Sequence, residues 1–86
     1  MIDTIFQPFL YPNPSADDVF FLHYQTGETV NFTVRDLQGR SLKTGSIVGN
    51  GFLQKMPIDL KGYSSGVYLV EVETSQNKSI LRLIKK

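Results

Sequence analysis

The chain of 86 residues contains no cysteine. That excludes a disulfide framework and a thiolate metal site, so packing and hydrogen bonds alone must hold the fold. It also contains no tryptophan and a single histidine, His23. Without a second imidazole His23 lacks the partners of a metal centre, and its neighbours Phe21, Leu22 and Tyr24 make it a strand residue. Charge of either sign is scarce in surplus, with nine basic against eight acidic residues for a net charge of +1. No basic field of the kind that binds phosphate backbones is present, so nucleic acid is not an expected partner. No apolar run approaches the roughly 18–20 residues of a membrane-crossing helix, and membrane insertion is not expected. Met1-Ile2-Asp3-Thr4 carries neither a positive n-region nor a small-residue cleavage site, so it does not read as a secretory signal peptide.

Catalytic kits are missing as well. There is no Gly-x-Ser-x-Gly elbow around Ser64 and Ser65, and no second base beside His23. Gly49-Asn50-Gly51 lacks the following helix that a phosphate loop needs. Asp17-Asp18 lacks the spaced oxygen ligands of a calcium cage and reads as a solvated turn. The expectation is a protein that is not an enzyme, with no catalytic, cofactor-binding or metal-binding residue and no cofactor.

What is present is turn chemistry separating short strands. Pro12-Asn13-Pro14 cannot be helical, because proline lacks an N–H and restricts the residue before it. Asp17 to Tyr24 is an apolar, aromatic strand, and Gln25-Thr26-Gly27-Glu28 reads as a hairpin loop. Thr29 to Asp36 alternates, with Val30, Phe32 and Val34 on one face. Leu37-Gln38-Gly39-Arg40 is a turn in which Gly39 supplies a positive φ at little cost. Ser41 to Val48 and Phe52 to Asp59 are further strands. After a loop from Lys61 to Gly66, Tyr68, Val70 and Val72 share one face, while Leu69, Glu71 and Glu73 share the other. Ser75-Gln76-Asn77 leads into a last strand, Lys78 to Lys85. The spacing predicts an all-β protein, an antiparallel β-sandwich of about seven short strands. Met1 to Leu10 is expected as a linker end or an edge strand, because Pro8 restricts pairing.

Val19 to Tyr24 is apolar on both faces, so one of them is expected to be exposed. Phe20, Leu22 and Tyr24 are the candidates for an exposed patch that docks another protein or a second copy.

Four phrases stand in order: Tyr11-Pro12-Asn13-Pro14, the Asp36-x-x-Gly39-Arg40 turn, Ser65-Gly66-Val67-Tyr68 with its alternating strand, and a basic end reaching Lys85 and Lys86. Together they resemble the type A class of C-terminal sorting domains of the type IX secretion system, over about Leu10 to Lys86. The resemblance implies an immunoglobulin-like sandwich over 11–86 that directs a larger cargo protein across the outer membrane. Its implied partners are the outer-membrane translocon, shuttle proteins, a sortase-like signal peptidase that removes the domain, and an N-terminal cargo domain. It implies transit through the periplasm and arrival at the cell surface or outside the cell, with possible attachment of the cargo there. Arg40 is an expected recognition handle, alternatively a partner of Asp36, and Arg82, Lys85 and Lys86 are expected to steer docking onto an acidic partner. The alternative is an accessory carbohydrate- or protein-binding module of an extracellular enzyme, for which Tyr11, Tyr24, Tyr63 and Phe52 would supply an aromatic platform.

Overall fold

A computed structural model describes residues 8–14 and 18–86. The expectations that fall on residues 1–7 and on Asp17 lie outside the described residues. Among the described residues seven strands follow in order: β1 (Phe9–Tyr11), β2 (Val19–Gln25), β3 (Thr29–Arg35), β4 (Ser41–Val48), β5 (Leu53–Asp59), β6 (Gly66–Glu73) and β7 (Lys78–Lys85). No helix occurs among the described residues. All pairings are antiparallel, in a three-stranded sheet β1-β2-β5 and a four-stranded sheet β4-β3-β6-β7.

The two sheets form the predicted sandwich. In the constant-type immunoglobulin order the fourth strand would join the first sheet; here β4 pairs with β3 instead. Alternation decides which side chains meet in the middle. Leu10, Phe20, Leu22, Tyr24 and Ile58 project from the first sheet, and Val30, Phe32, Val34, Tyr68, Val70, Val72 and Leu83 from the second. Leu60, between β5 and β6, joins the same core.

The exposed patch expected at Phe20, Leu22 and Tyr24 is therefore core: these side chains are only 0%, 0% and 1% exposed. Both faces of β2 are apolar, and its inward row is the one that opposes the apolar rows of β3 and β6. The outward row stays half-covered by its neighbours. His23 stacks on Phe9 at 4.5 Å between ring centroids, and the Lys55 ammonium sits 5.0 Å from the centre of the Phe21 ring.

The hairpin expected at Gln25–Glu28 is also revised. β2 and β3 lie in different sheets, so this loop crosses from one to the other. Its carbonyls are not spent on a hairpin. They accept from the second crossing loop, with Gly49 N–H donating to the Glu28 carbonyl at 3.0 Å and Gly51 N–H to the Thr26 carbonyl at 2.9 Å. Two crossings thus brace each other at one end of the sandwich.

Candidate recognition site

The antiparallel registers bring four sequence-distant phrases to the opposite end of the sandwich. Gly66 pairs with Lys85 at the start of β6 and the end of β7; Arg35, the end of β3, pairs with Leu69; Val19 pairs with Asp59. The Tyr-Pro-Asn-Pro segment, the Asp36 turn, the Ser65–Tyr68 segment and the last residues of β7 therefore share one pole.

Tyr11-Pro12-Asn13-Pro14 leaves β1 and crosses to the other sheet. Both X-Pro bonds in it are cis. The Asn13 side chain behaves as a short piece of strand: its Nδ2 donates to the Arg82 carbonyl at 2.6 Å, and Ile84 N–H donates to its Oδ1 at 2.9 Å. One amide supplies both an acceptor and a donor in the spacing a neighbouring strand would offer. It ties the first sheet to the edge of the second.

The Asp36 turn is built around one carboxylate. Asp36 Oδ1 accepts from the backbone N–H groups of Gln38 and Arg40 at 3.0 and 2.9 Å, and Oδ2 accepts from Arg40 Nε at 2.6 Å. Gly39 takes φ +88°, the left-handed conformation expected of it. Burial pushes the Asp36 carboxyl upward, but the Arg40 backbone and side chain and the Gln38 N–H outweigh it and hold the group below the usual carboxylate range. Glu71 is held low chiefly by the hydrogen bond from Arg35, against the opposing effect of burial. Arg40 pairs with Asp36, yet its side chain is 76% exposed. It is both a turn anchor and an accessible cation.

These shifts have a pH consequence. A depressed folded-state pKa contributes stability that is complete above the unfolded value, about 4 for a carboxylate, and is lost as pH falls through the folded value. The urea midpoint is expected to fall as pH drops below about 4, and more shallowly in Asp36→Asn, where Glu71 alone remains of the two carboxyls held low. Parallel curves for the two proteins would show that the turn carboxylate contributes nothing.

Ser65-Gly66-Val67-Tyr68 forms a tyrosine corner. The Tyr68 hydroxyl donates to the carbonyl of Ser64 four residues upstream, while its ring lies in the core. Gly66, at φ +150°, lets the chain turn into β6. Tyr63 packs edge-on against Tyr68 at 6.4 Å, and its hydroxyl donates to the Leu42 carbonyl at 3.2 Å.

The basic end divides. Lys86 is exposed, but Lys85 is buried at 7% exposure. Its ammonium donates to the Leu60 and Tyr63 carbonyls at 2.8 and 2.6 Å and meets Asp18 Oδ1 at 3.2 Å. Lys85 is thus not the surface charge expected of it: it closes the pole from inside. Asp18, read as a turn solvator, is its counter-ion. Sequence reasoning missed this pair, although Lys85 shares the parity of Leu81 and Leu83, and Leu83 is buried. Among the motif residues of the four phrases, Asp36, Tyr68 and Lys85 are buried and Pro12 and Val67 are half-buried, while the others, with Tyr11, Arg40 and Lys86 carrying the large side chains, are exposed.

The aromatic platform expected of a carbohydrate-binding module does not assemble. Tyr24 is core and Tyr63 is half-buried. Tyr11 pairs with Phe21, whereas Phe52 precedes the residue paired with Gln25, about 13 Å farther along β2.

Comparison with curated proteins finds no match. Comparison with family models finds one that covers residues 9–86, described as a secretion system C-terminal sorting domain. Its span begins at β1 and takes in all seven strands and all four phrases. The chain belongs to the family of C-terminal sorting domains of the type IX secretion system, a family of export signals rather than of catalysts.

Proposed function

We propose that this domain is the removable export address of a longer protein. An N-terminal cargo precedes it, the domain folds in the periplasm, and the type IX translocon with its shuttle proteins recognises the folded sandwich. A sortase-like peptidase then cuts on the N-terminal side of β1, leaving the cargo attached to the cell surface or free outside the cell. The domain is the substrate of that cut and supplies no catalytic group.

The observation that carries this reading is the convergence of the four family phrases at one pole. Each has a structural task there: Asn13 ties the sheets, Asp36 builds a turn, Tyr68 makes a corner and Lys85 closes the end. What they present outward is compact, with Tyr11, Arg40 and Lys86 exposed around a rigid frame. Such a surface suits recognition of a folded shape. The proposed cut lies before Phe9 because the chain beyond it is committed to strands and their hydrogen bonds.

Mass spectrometry of an exported cargo carrying this domain tests the proposal. The expected product ends upstream of Phe9 and lacks the sandwich, and cells without the sortase-like peptidase retain the uncut protein. Exported cargo that keeps the whole domain while the peptidase is active would contradict removal.

A further inference from the structure

Two sheets have four edge strands, and each edge is an unpaired row of N–H and C=O groups unless something closes it. Three of the edges are closed or interrupted. β1 has three residues and lies between Pro8 and Pro12. β5 carries Pro57. β4 is bulged against β3 and its Leu42 carbonyl accepts from the Tyr63 hydroxyl, while the Lys43 side chain donates to the Asp59 carbonyl of β5 at 2.7 Å.

β7 differs. Like β4 it has eight residues and no proline, but its register with β6 is unbroken where that of β4 with β3 is bulged. Asn13 takes only the Arg82 carbonyl and the Ile84 N–H of its outer side. Those two contacts fix which backbone groups face away from β6. By the two-residue repeat of a strand, the N–H and C=O of Lys78 and Ile80 and the N–H of Arg82 face the same way. Among the described residues nothing pairs with them.

We propose that the Lys78–Arg82 stretch of β7 is a docking edge for an extended acidic strand of a partner protein, which adds as a fifth strand to the β4-β3-β6-β7 sheet. The side chains specify the partner's chemistry. Ile80 is 61% exposed and is flanked on its own face by the exposed cations Lys78 and Arg82. Lys78 shares Glu71 at 3.8 Å, while Arg82 has no ion pair among the described residues. A second copy is disfavoured: antiparallel self-pairing centred on Ile80 sets Lys78 of one copy opposite Arg82 of the other, placing like charges across the new pair. An apolar residue opposite Ile80 with carboxylates on either side fits instead. The inference rests on the strand edge and holds whether or not the partner belongs to the export machinery.

Amide exchange measured by NMR on the full chain tests it, with a short synthetic peptide alternating glutamate and valine as the probe. Saturating peptide is expected to slow exchange of the Ile80 and Arg82 amides about tenfold or more. A backbone N-methylated version of the peptide, which cannot complete the ladder, is expected to lose the effect. Ile80→Pro removes an N–H that faces away from β6, and is expected to keep the fold while weakening peptide binding about tenfold or more. Three outcomes overturn the proposal: unchanged exchange in β7, equal slowing by a lysine–valine peptide, or equal slowing by the N-methylated peptide. Should Ile80→Pro not fold, the peptide comparison on the unaltered chain decides.

Discussion

Replacing Lys85 with methionine is expected to lower stability by about 2–4 kcal/mol. In a domain of this size that corresponds to a fall in melting temperature of roughly 10–25 °C. The side chain keeps its length, so little packing is lost. What disappears is the donor that satisfies two carbonyls, those of Leu60 and Tyr63, and pairs with Asp18. Leu60 is fully buried, so its carbonyl keeps only the Tyr63 N–H at 3.0 Å and loses its second donor where water has little access, while Asp18 loses its counter-ion. Lys86→Met, at an exposed position, is expected to stay within about 0.5 kcal/mol. A thermal melt of the two variants separates the roles. Equal melting temperatures would mean that Lys85 acts as a surface charge after all, and its effect would then fade with salt. The same logic governs truncation: deleting Leu83 to Lys86 removes a core leucine and this lysine together, so loss of export in such a variant is expected to accompany loss of fold.

The second large effect lies at the other pole. Gly49→Ala is expected to cost about 2–5 kcal/mol, combining steric overlap with the loss of loop hydrogen bonds. A Cβ at Gly49 would stand 2.1 Å from the Thr26 carbonyl oxygen and 2.7 Å from that of Glu28. Both obstacles are backbone, so neither can rotate away. Relief requires the two crossing loops to separate, which breaks the Gly49–Glu28 and Gly51–Thr26 hydrogen bonds. Gly27→Ala, in the facing loop with nothing within 4 Å of its added Cβ, is the matched control and is expected to be nearly neutral. A denaturant titration of both variants is the check. A Gly49→Ala midpoint equal to that of Gly27→Ala would show that the crossings do not brace each other.

Strands that are wet on one side were legible in the sequence. Thr29–Arg35 and Gly66–Glu73 alternate so cleanly that the inward residues Val30, Phe32, Val34, Tyr68, Val70 and Val72 follow from period alone. The bounds of β4 and β7 follow from the turn residues that flank them. Less legible was anything that depends on what lies across the sandwich. Val19–Tyr24 is apolar on both faces, so only its opposition to β3 and β6 decides that Phe20, Leu22 and Tyr24 go inward. Gln25–Glu28 has the chemistry of a hairpin loop, and local chemistry does not encode that β2 and β3 sit in different sheets. Lys85 was misplaced for a different reason. Its charge suggested surface, whereas its parity with Leu83 placed it inside, and carbonyls remote in sequence made that position tolerable. The motif residues were found by their resemblance, but their tasks became clear only in three dimensions. Asn13 acts on a strand 69 to 71 residues away.

The central claim, that the folded sandwich is an address read by the type IX system, is tested most directly by an export measurement. Residues 1–86 are fused behind a fluorescent reporter that already reaches the periplasm, in cells with and without a working translocon. Reporter at the cell surface or in the medium, only when the translocon works, is the predicted result. Reporter held in the periplasm of cells with a working translocon, with the domain shown to be folded there, would contradict it.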